Sequence, residues 1–249
     1  MAQPPTIWFD NEGYCSVCQG RTTFVAEGEW LRDQYTCSRC RSIPRQRALI
    51  EVLDQLVPRW PELRIHESSP TMKFFANQCR GYSYSFFFED IGPGEYKNGL
   101  PCENLEQLTF ADRSFDIFIT QDVMEHVFDP QRALMEIMRV LDHGGLHIFT
   151  TPKHKHLTKS YARARLSGTA VEHLFEPQYH GSPIGDGRAL VTWDYGTDFE
   201  DLMRDWTGYL TSTFVIRDRE RGIDGEHLEV FVMRKSKVNH VRGEASGES

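Results

Sequence analysis

The chain has 249 residues, of which 39% are hydrophobic and 12% aromatic, enough to bury one sizeable α/β core and a small appendage. Its net charge of −8 disfavours general attraction to phosphate backbones, although a local basic patch could still bind them. No apolar run approaches the roughly 18 residues of a membrane span, and the first ten residues lack the basic and apolar regions of a signal peptide. We therefore expect a cytoplasmic protein that does not contact membranes.

Two Cys-x-x-Cys motifs lie near the amino terminus, and 18 residues separate them. This is the spacing of a tetrahedral zinc site, in which each motif presents two thiolates to one ion. Four sulfur ligands complete the coordination of zinc, so the pattern predicts a structural ion and not a catalytic one. The alternative is two unrelated redox or buried cysteine pairs. The predicted ligands are Cys15, Cys18, Cys37 and Cys40. The remaining two, Cys79 and Cys102, are interpreted as small buried hydrophobic residues.

Residues 1–47 are predicted to form the zinc ribbon. From residue 13 to residue 47, six arginines stand against three acidic residues, a local charge of +3. These arginines could grip nucleic acid or a phosphate-bearing substrate, or Arg41, Arg45 and Arg47 could dock the ribbon on its acidic neighbour. Docking is favoured because no aromatic residues interleave the arginines. A helix at 42–57, ended by Pro58, joins the ribbon without a flexible linker to a domain at 48–235.

Strand and helix patterns alternate through the next part of the chain. Residues 63–67 are predicted as the first strand of a sheet, and 82–88 as an aromatic second strand. Pro70 is expected to open a helix over 71–79 between them. Glu89 and Asp90 follow the second strand, where an acid accepts hydrogen bonds from ribose hydroxyls in dinucleotide-binding sheets. Either acid could instead be an ordinary solvated loop residue.

Residues 114–152 predict a strand, a helix and a second strand. The first strand, 115–120, is almost wholly apolar, as a strand buried on both faces of a parallel sheet is. Asp129 and Pro130 suit the N-cap and first position of the helix. Gly144-Gly145 is expected to end that helix, and 146–150 to form the next strand. The segment therefore predicts a right-handed βαβ unit.

The sequence of this segment resembles the second half of a class I, Rossmann-like S-adenosylmethionine-dependent methyltransferase domain. The segment that carries the resemblance is FDIFITQDVMEHVFDPQRALMEIMRVLDHGGLHIFTTP. The Phe-Asp opening, Glu-His-Val after the strand, Arg-Val-Leu before Gly-Gly and the closing Thr-Pro carry the resemblance. It implies a doubly wound, mostly parallel α/β sheet that ends in an antiparallel strand pair, at 212–217 and 227–233. It also implies an enzyme that uses S-adenosylmethionine.

The chain departs from that family at its first loop. Where the family has Gly-x-Gly-x-Gly after the first strand, this sequence has His66-Glu67-Ser68-Ser69-Pro70. Either the small serines replace the glycines, which we favour because the downstream motifs remain, or the cofactor site is altered or lost. The loop around Glu103 resembles the one that brackets adenine in the family. The predicted cofactor-binding residues are Glu67, Ser68, Ser69, Glu89, Asp90, Glu103, Asn104, Leu105, Gln121 and Asp122.

Three histidines are candidates for removing a proton from the methyl acceptor, because an unperturbed imidazole titrates at a pKa of about 6.5. The family match places His126 just beyond the central strand. His154 and His180 lie in a long irregular insertion, 153–194, of the kind that covers binding sites. The alternatives are a loop-pinning role for His126 and surface or ordinary hydrogen-bonding positions for the other two. A metal cage among the histidines of the insertion is conceivable, but their spacings match no standard cluster.

The predicted function is methyl transfer from S-adenosylmethionine to an oxygen or nitrogen of a small metabolite, including sugar-containing or phosphorylated ones. A nucleic-acid methyltransferase and a non-catalytic binding protein with a degenerate cofactor site are the alternatives, and the acidic domain disfavours a nucleic-acid partner. Residues 236–249 are polar and expected to be disordered. The sequence leaves the acceptor and the oligomeric state open.

Overall fold

The computed structural model describes residues 7–71, 73–182, 184 and 187–236. Among the helices of these residues, none has the length and apolar character of a membrane span. The predicted disordered tail, 236–249, falls outside the described residues except for Ser236.

The amino-terminal ribbon is a small antiparallel sheet that a helix joins to the rest of the protein. The sheet order is β1, β2, β3, and short helix α1 precedes β3. Helix α2 begins at a proline, so the predicted helix is confirmed with slightly narrower bounds. The predicted boundary between residues 47 and 48 falls inside α2, so the ribbon and the main sheet share this helix. The elements are β1 (Phe9–Cys15), β2 (Gly20–Ala26), α1 (Leu31–Gln34), β3 (Tyr35–Cys37) and α2 (Pro44–Leu56).

Next come the first strands of the main sheet. The helix in this region is shorter than the one predicted over 71–79. It begins four residues after Pro70 and covers only Phe74–Gln78. The predicted aromatic strand ends early, at Ser85, and only a single bridge from Phe86 to Cys102 continues it. The elements are β4 (Arg64–Ser68), α3 (Phe74–Gln78), β5 (Gly81–Ser85), β6 (Tyr96–Lys97) and β7 (Leu100–Pro101).

The central βαβ unit is confirmed, with one correction at its turn. The unit consists of β8 (Phe115–Gln121), α4 (Pro130–Val140) and β9 (Leu141–Thr150). Asp129 caps α4 by accepting from the Arg132 amide, as predicted. The glycine pair does not end α4 but lies within β9. A side chain on Gly145 would come within 2.9 Å of the Asp116 carbonyl oxygen, so only glycine fits at this position. Close approach of two strands, and not helix termination, is therefore the role of this glycine.

The prediction of an irregular insertion at 153–194 is wrong, because residues of this segment form short strands. Its strands are two to four residues long, too short to show a period of two in the sequence. They pair as three antiparallel couples, β11 with β12, β13 with β14 and β10 with β15. The strands are β10 (Tyr161–Ala162), β11 (Ala164–Ser167), β12 (Ala170–His173), β13 (Tyr179–Gly181), β14 (Arg188–Leu190) and β15 (Trp193–Asp194).

The last elements are helix α5 (Phe199–Thr207) and strands β16 (Thr211–Phe214) and β17 (Val230–Arg234). The order of the six-stranded sheet is β16-β17-β9-β8-β4-β5. Strands β9, β8, β4 and β5 are parallel, whereas β16 and β17 form the predicted antiparallel pair. The predicted fold class, a Rossmann-like mostly parallel sheet, is confirmed.

Two apolar layers cover the sheet, one on each face. Residues of β17 show the division: Val230 and Val232 face the layer formed by α2 and α3, and Phe231 and Met233 face the layer formed by α4 and α5. Alternation of this kind is the period-two pattern of a strand buried on both faces. The sheet is thus rigid along its length, and its carboxyl edge is the surface on which loops can build a site.

Candidate functional site

The chain reverses its direction of progress through the sheet between β4 and β8. It runs from β4 outward to β5, and then returns to place β8 on the other side of β4. In open α/β sheets, ligands bind at such a switch point, in the crevice outside the carboxyl ends of the strands. The topology places this position between the loop after Ser68 and the loop after Gln121, and we call that region the crevice. The predicted cofactor residues Ser68, Ser69, Gln121 and Asp122 lie around it.

Both loops at the crevice turn sharply as soon as the strands end. Ser69 has a φ of 56° and Asp122 a φ of 51°, in the left-handed region that favours glycine. The Ser69 amide donates to the carbonyl oxygen of Ser85, at the end of the neighbouring strand β5. A residue without a bulky side chain therefore stands where the resembled family has glycine, and it adopts a glycine-like conformation.

The carboxylate of Glu67 is enclosed in the sheet instead of facing the crevice. Its two oxygens accept hydrogen bonds from the Tyr82 hydroxyl and the Gln121 side-chain amide, each at 2.8 Å. Burial raises the pKa of Glu67 from its ordinary 4.5 to about 7, although both hydrogen bonds oppose the increase. In this structure the side chains of Glu67 and Gln121 bind each other. Their predicted contacts with a cofactor stay predictions.

Glu67 gives the protein a pH-dependent stability. Between pH 4.5 and about 7 the folded protein holds a proton that the unfolded chain releases, so the free energy of unfolding falls as the pH rises. We expect Glu67→Gln to abolish this fall, which amounts to about 3 kcal/mol over the whole range at 1.36 kcal/mol per pKa unit. The Gln121 amide can turn to meet the new amide, since its Oε1 atom has no hydrogen-bond partner among the described residues.

The measurement is urea denaturation of wild type and Glu67→Gln at pH 5 and pH 8. The difference between the two proteins isolates Glu67 from His66 and His147, whose burial lowers the pKa of each to about 3. A difference that does not change between the two pH values would contradict the assignment of the proton to Glu67.

The other predicted cofactor residues are held by local contacts. Asp90 is exposed and pairs with Lys97 at 2.6 Å, and Glu89 is exposed beside it. Glu103 accepts hydrogen bonds from the amide and hydroxyl of Thr109. The side chain of Asn104 accepts from the Glu106 amide, and Leu105 is buried in the core. The loop is thus ordered by its own side chains, and its contact with adenine stays a prediction.

Asp122 connects the crevice to the ribbon. Its carboxylate lies 2.6 Å from the guanidinium of Arg32 and 3.1 Å from that of Arg45, and it also accepts from the Thr150 hydroxyl. Burial would raise the pKa of Asp122, but the two neighbouring arginines lower it on balance. Arg32 is buried, and its role was not predicted from the sequence. The role of Arg32 becomes visible only in the tertiary structure, which places the ribbon over the crevice.

The predicted docking of the ribbon by arginines is confirmed for two of three residues. Arg45 reaches Asp122, and Arg47 is fully buried and donates to the carbonyl oxygens of Gly222, Tyr35 and Ser42. Arg41 does not take part, because its side chain is 64% exposed and lies near Glu27 within the ribbon.

The four predicted zinc ligands lie together at one end of the ribbon. The Sγ atoms of Cys15 and Cys40 are 3.7 Å apart and those of Cys18 and Cys37 are 3.8 Å apart, and all four lie within 4.8 Å of one another. Sulfur atoms at 2.3 Å from a tetrahedral zinc ion are separated by about 3.8 Å, so the cluster has the dimensions of a zinc site. Cys79 and Cys102 are buried elsewhere, as predicted.

Histidines converge beside the crevice, at the carboxyl ends of β8 and β9. The rings of His126 and His180 are 5.3 Å apart, and both approach Glu125, a residue of the turn after β8. His154 lies 3.7 Å from the Asp194 carboxylate, and burial lowers its pKa. The three histidines predicted for the acceptor side are thus near one another, although 54 residues separate the first from the last. The sequence pointed to Glu125 only as part of the Glu-His-Val motif and of the turn that could cover the methyl group, and gave it no chemical role of its own.

Comparison with known proteins agrees with this fold. A model of the methyltransferase-domain family matches residues 90–149. The match contains the βαβ unit and begins after the first loop, where the family glycines are replaced. The resemblance to the class I methyltransferases that the sequence indicated is therefore confirmed for this segment.

Other comparisons give distant similarities. A 37.1 kDa protein encoded in transposon Tn4556 of Streptomyces fradiae is 31% identical over 93 residues, which are 37% of this chain. The match spans about a quarter, 27%, of that relative's length. Among solved structures, a methyltransferase from Mesorhizobium loti is 13% identical, with a TM-score of 0.47 over 75% of this chain and 97% of that one. The 1,6-didemethyltoxoflavin-N1-methyltransferase of Burkholderia thailandensis is 14% identical, with a TM-score of 0.45 over 78% of each chain.

Proposed function

We propose that this protein transfers the methyl group of S-adenosylmethionine to an oxygen or nitrogen of a small metabolite, including sugar-containing or phosphorylated ones. The observation that carries the proposal is the topological switch point between β4 and β8, in a chain whose residues 90–149 match the methyltransferase-domain family. The cofactor supplies a methyl group already activated by a positively charged sulfur atom. The protein then needs to align the two reactants, exclude water and remove one proton.

The loops of the crevice fit the cofactor in their backbone geometry. The left-handed conformation of Ser69 bends the chain away from the strand end, and its small side chain leaves space for a ligand. Ser68 and Ser69 would lie against the methionine or ribose part, and the loop of residues 103–105 against the adenine. Asp122 would act on the cofactor mainly by holding Arg32 and Arg45 at the edge of the crevice.

The acceptor would lie under the insertion, beside the cluster of His126, His180 and His154. The insertion is attached firmly at this point, because the Thr192 amide and hydroxyl both donate to the Glu125 carbonyl oxygen. His180 is 37% exposed and therefore within reach of a bound substrate. An imidazole in this place is suited to take the proton of a hydroxyl or amine near neutral pH.

The ribbon would hold one structural zinc ion and brace the crevice. Among the described residues, its fully buried core consists of Phe24, Ala26 and Tyr35 besides Cys15 and Cys37, with a few half-buried apolar residues packed against it, a small core for folding without the metal. Of its six arginines, Arg32, Arg45 and Arg47 are used inside the protein. That use favours a small-molecule acceptor over nucleic acid, since half of the basic side chains are not available to phosphates.

Calorimetric titration with S-adenosylmethionine and S-adenosylhomocysteine tests the proposal. We expect both to bind wild type, and Ser69→Gly to bind at least as tightly because glycine adopts the left-handed conformation without strain. Ser69→Trp is expected to weaken binding at least tenfold by filling the space beside the loop. Ser167→Trp, on the exposed strand β11, is the control and is expected to bind as wild type does.

Absence of heat and of a thermal shift with either ligand at millimolar concentration would contradict the proposal. The remaining candidate would then be a binding protein that keeps the fold without the cofactor. The unusual first loop is the specific feature that favours this second candidate, because it lacks all three glycines of the resembled family.

A further inference from the structure

Three metal-ligating atoms face one another at the carboxyl ends of β8 and β9, apart from the cysteine cluster. The Oε1 atom of Glu125 lies 3.9 Å from Nε2 of His126 and 3.8 Å from Nδ1 of His180. All three atoms lie within 4.8 Å of one another. These separations exceed the length of a hydrogen bond, about 3 Å, so the side chains surround a common space without bonding to each other.

The carboxylate of Glu125 is buried and only half satisfied. Its side chain is 2% exposed, and Oε2 accepts a hydrogen bond of 3.0 Å from the Thr151 hydroxyl. Oε1, the atom that faces the two histidines, has no hydrogen-bond partner among the described residues. An unpartnered buried carboxylate oxygen is costly, and a cation bound beside it would remove that cost.

His126 is oriented as a metal ligand. Its Nδ1 atom lies 2.8 Å from the Leu190 carbonyl oxygen, which can only accept, so Nδ1 carries the hydrogen. Nε2 therefore carries the lone pair of the neutral ring, and it is the atom that lies 3.9 Å from Oε1 of Glu125. A backbone carbonyl that fixes the tautomer in this way is the usual outer partner of a metal-bound histidine. Leu190 belongs to β14, which pairs with the strand that carries His180.

We propose that Glu125, His126 and His180 bind one divalent first-row transition-metal ion. Two imidazoles and one carboxylate suit ions such as zinc, iron or manganese. Ligand atoms at about 2.1 Å from such an ion are separated by about 3.0–3.4 Å, so the three side chains must close by roughly half an ångström to one ångström. His180, whose side chain is 37% exposed, can move toward Glu125, and the Glu125–His126 pair must close from 3.9 Å as well.

The ion would also define the acceptor, a step that rests on the proposed function. Three protein ligands leave coordination positions open, and a substrate hydroxyl bound there loses its proton more readily. The proton passes to His154 or to solvent. The acceptor oxygen then forms a bond to the methyl carbon while the carbon–sulfur bond breaks, and that electron pair stays on sulfur to give a neutral thioether. The acceptor is therefore a hydroxyl compound and not an amine.

Titration with Co²⁺ tests the metal site, using full-length protein that keeps its ribbon zinc. We expect wild type to bind one equivalent at micromolar concentration, with visible d–d bands and no thiolate-to-cobalt charge transfer. Glu125→Gln and His180→Ala are expected to weaken binding at least tenfold. His173→Ala, which removes an exposed histidine of β12, is the control and should bind as wild type does.

Two results would overturn the metal site: no cobalt bands at millimolar Co²⁺, or wild-type affinity in His180→Ala. In either case a protonated histidine paired with Glu125 would account for the geometry. The cobalt titration needs no S-adenosylmethionine, so it separates this inference from the proposed function. Cobalt binding without cofactor binding supports the metal site alone, and cofactor binding without cobalt binding supports the methyltransferase alone.

Discussion

Removal of zinc is expected to unfold the ribbon and to lower the free energy of unfolding by on the order of 5 kcal/mol or more. Cys37→Ser removes one of four predicted ligands from a segment whose fully buried core, among the described residues, has three members besides cysteines. Arg47 adds to the effect, because its buried guanidinium lies beside the cysteine cluster and offsets the negative charge of four thiolates around one ion. Burial lowers the pKa of Arg47 to about 10, and the thiolates oppose that decrease.

The measurement is zinc content by elemental analysis together with thermal denaturation of wild type and Cys37→Ser. Cys102→Ala is the matched control, since it changes a buried cysteine that lies outside the cluster and should keep one zinc per chain. We also expect Cys37→Ser to become sensitive to proteolysis in residues 9–41. Zinc-free protein with the melting temperature of wild type would show that the ribbon does not depend on a metal.

Asp122→Asn is expected to destabilise the protein by about 2–4 kcal/mol, because it leaves two largely buried arginines without their main acceptor. The side chain of Arg32 is 7% exposed and that of Arg45 is 14% exposed. Asn is preferable to Ala at this position, since Asp122 has a positive φ that asparagine adopts more easily than alanine. The variant thus changes the charge and leaves the backbone in place.

Chemical denaturation of Asp122→Asn, Arg45→Leu and the double variant measures the coupling. We expect the double variant to be more stable than Asp122→Asn, because one of the unpaired charges is gone. Asp33→Asn is the control: Asp33 also contacts both arginines, but it is 45% exposed, so its loss should cost less than about 1 kcal/mol. If the changes in unfolding free energy of Asp122→Asn and Arg45→Leu simply add in the double variant, the two residues do not form a functional ion pair between ribbon and crevice.

This pair also changes the interpretation of Asp122. The sequence predicted a cofactor contact, whereas the structure shows a carboxylate already shared by Arg32, Arg45 and Thr150. Cofactor affinity and stability should therefore decrease together in Asp122→Asn. A loss of affinity at unchanged stability would favour the direct contact that the sequence predicted.

The sequence by itself determined the features that depend on local pattern. The spacing of Cys15, Cys18, Cys37 and Cys40 predicted a cluster with the size of a zinc site, because each pair of ligands comes from one short turn. The apolar run from residue 115, followed by a capped amphipathic helix, predicted the βαβ unit and the parallel sheet. Short-range periodicity and capping decide such elements, and tertiary contacts change only their ends.

Only the tertiary structure decided which polar side chains meet. Glu67 and Gln121 are 54 residues apart and bind each other because their strands are neighbours in the sheet. Arg32 reaches Asp122 across 90 residues, and Glu125 approaches His180 across 55, because the ribbon and the insertion both fold over one edge of the sheet. A charged residue in a loop has no periodic pattern to indicate its partner. Its partner is decided by burial, since a charge removed from water must be paired wherever the fold places it.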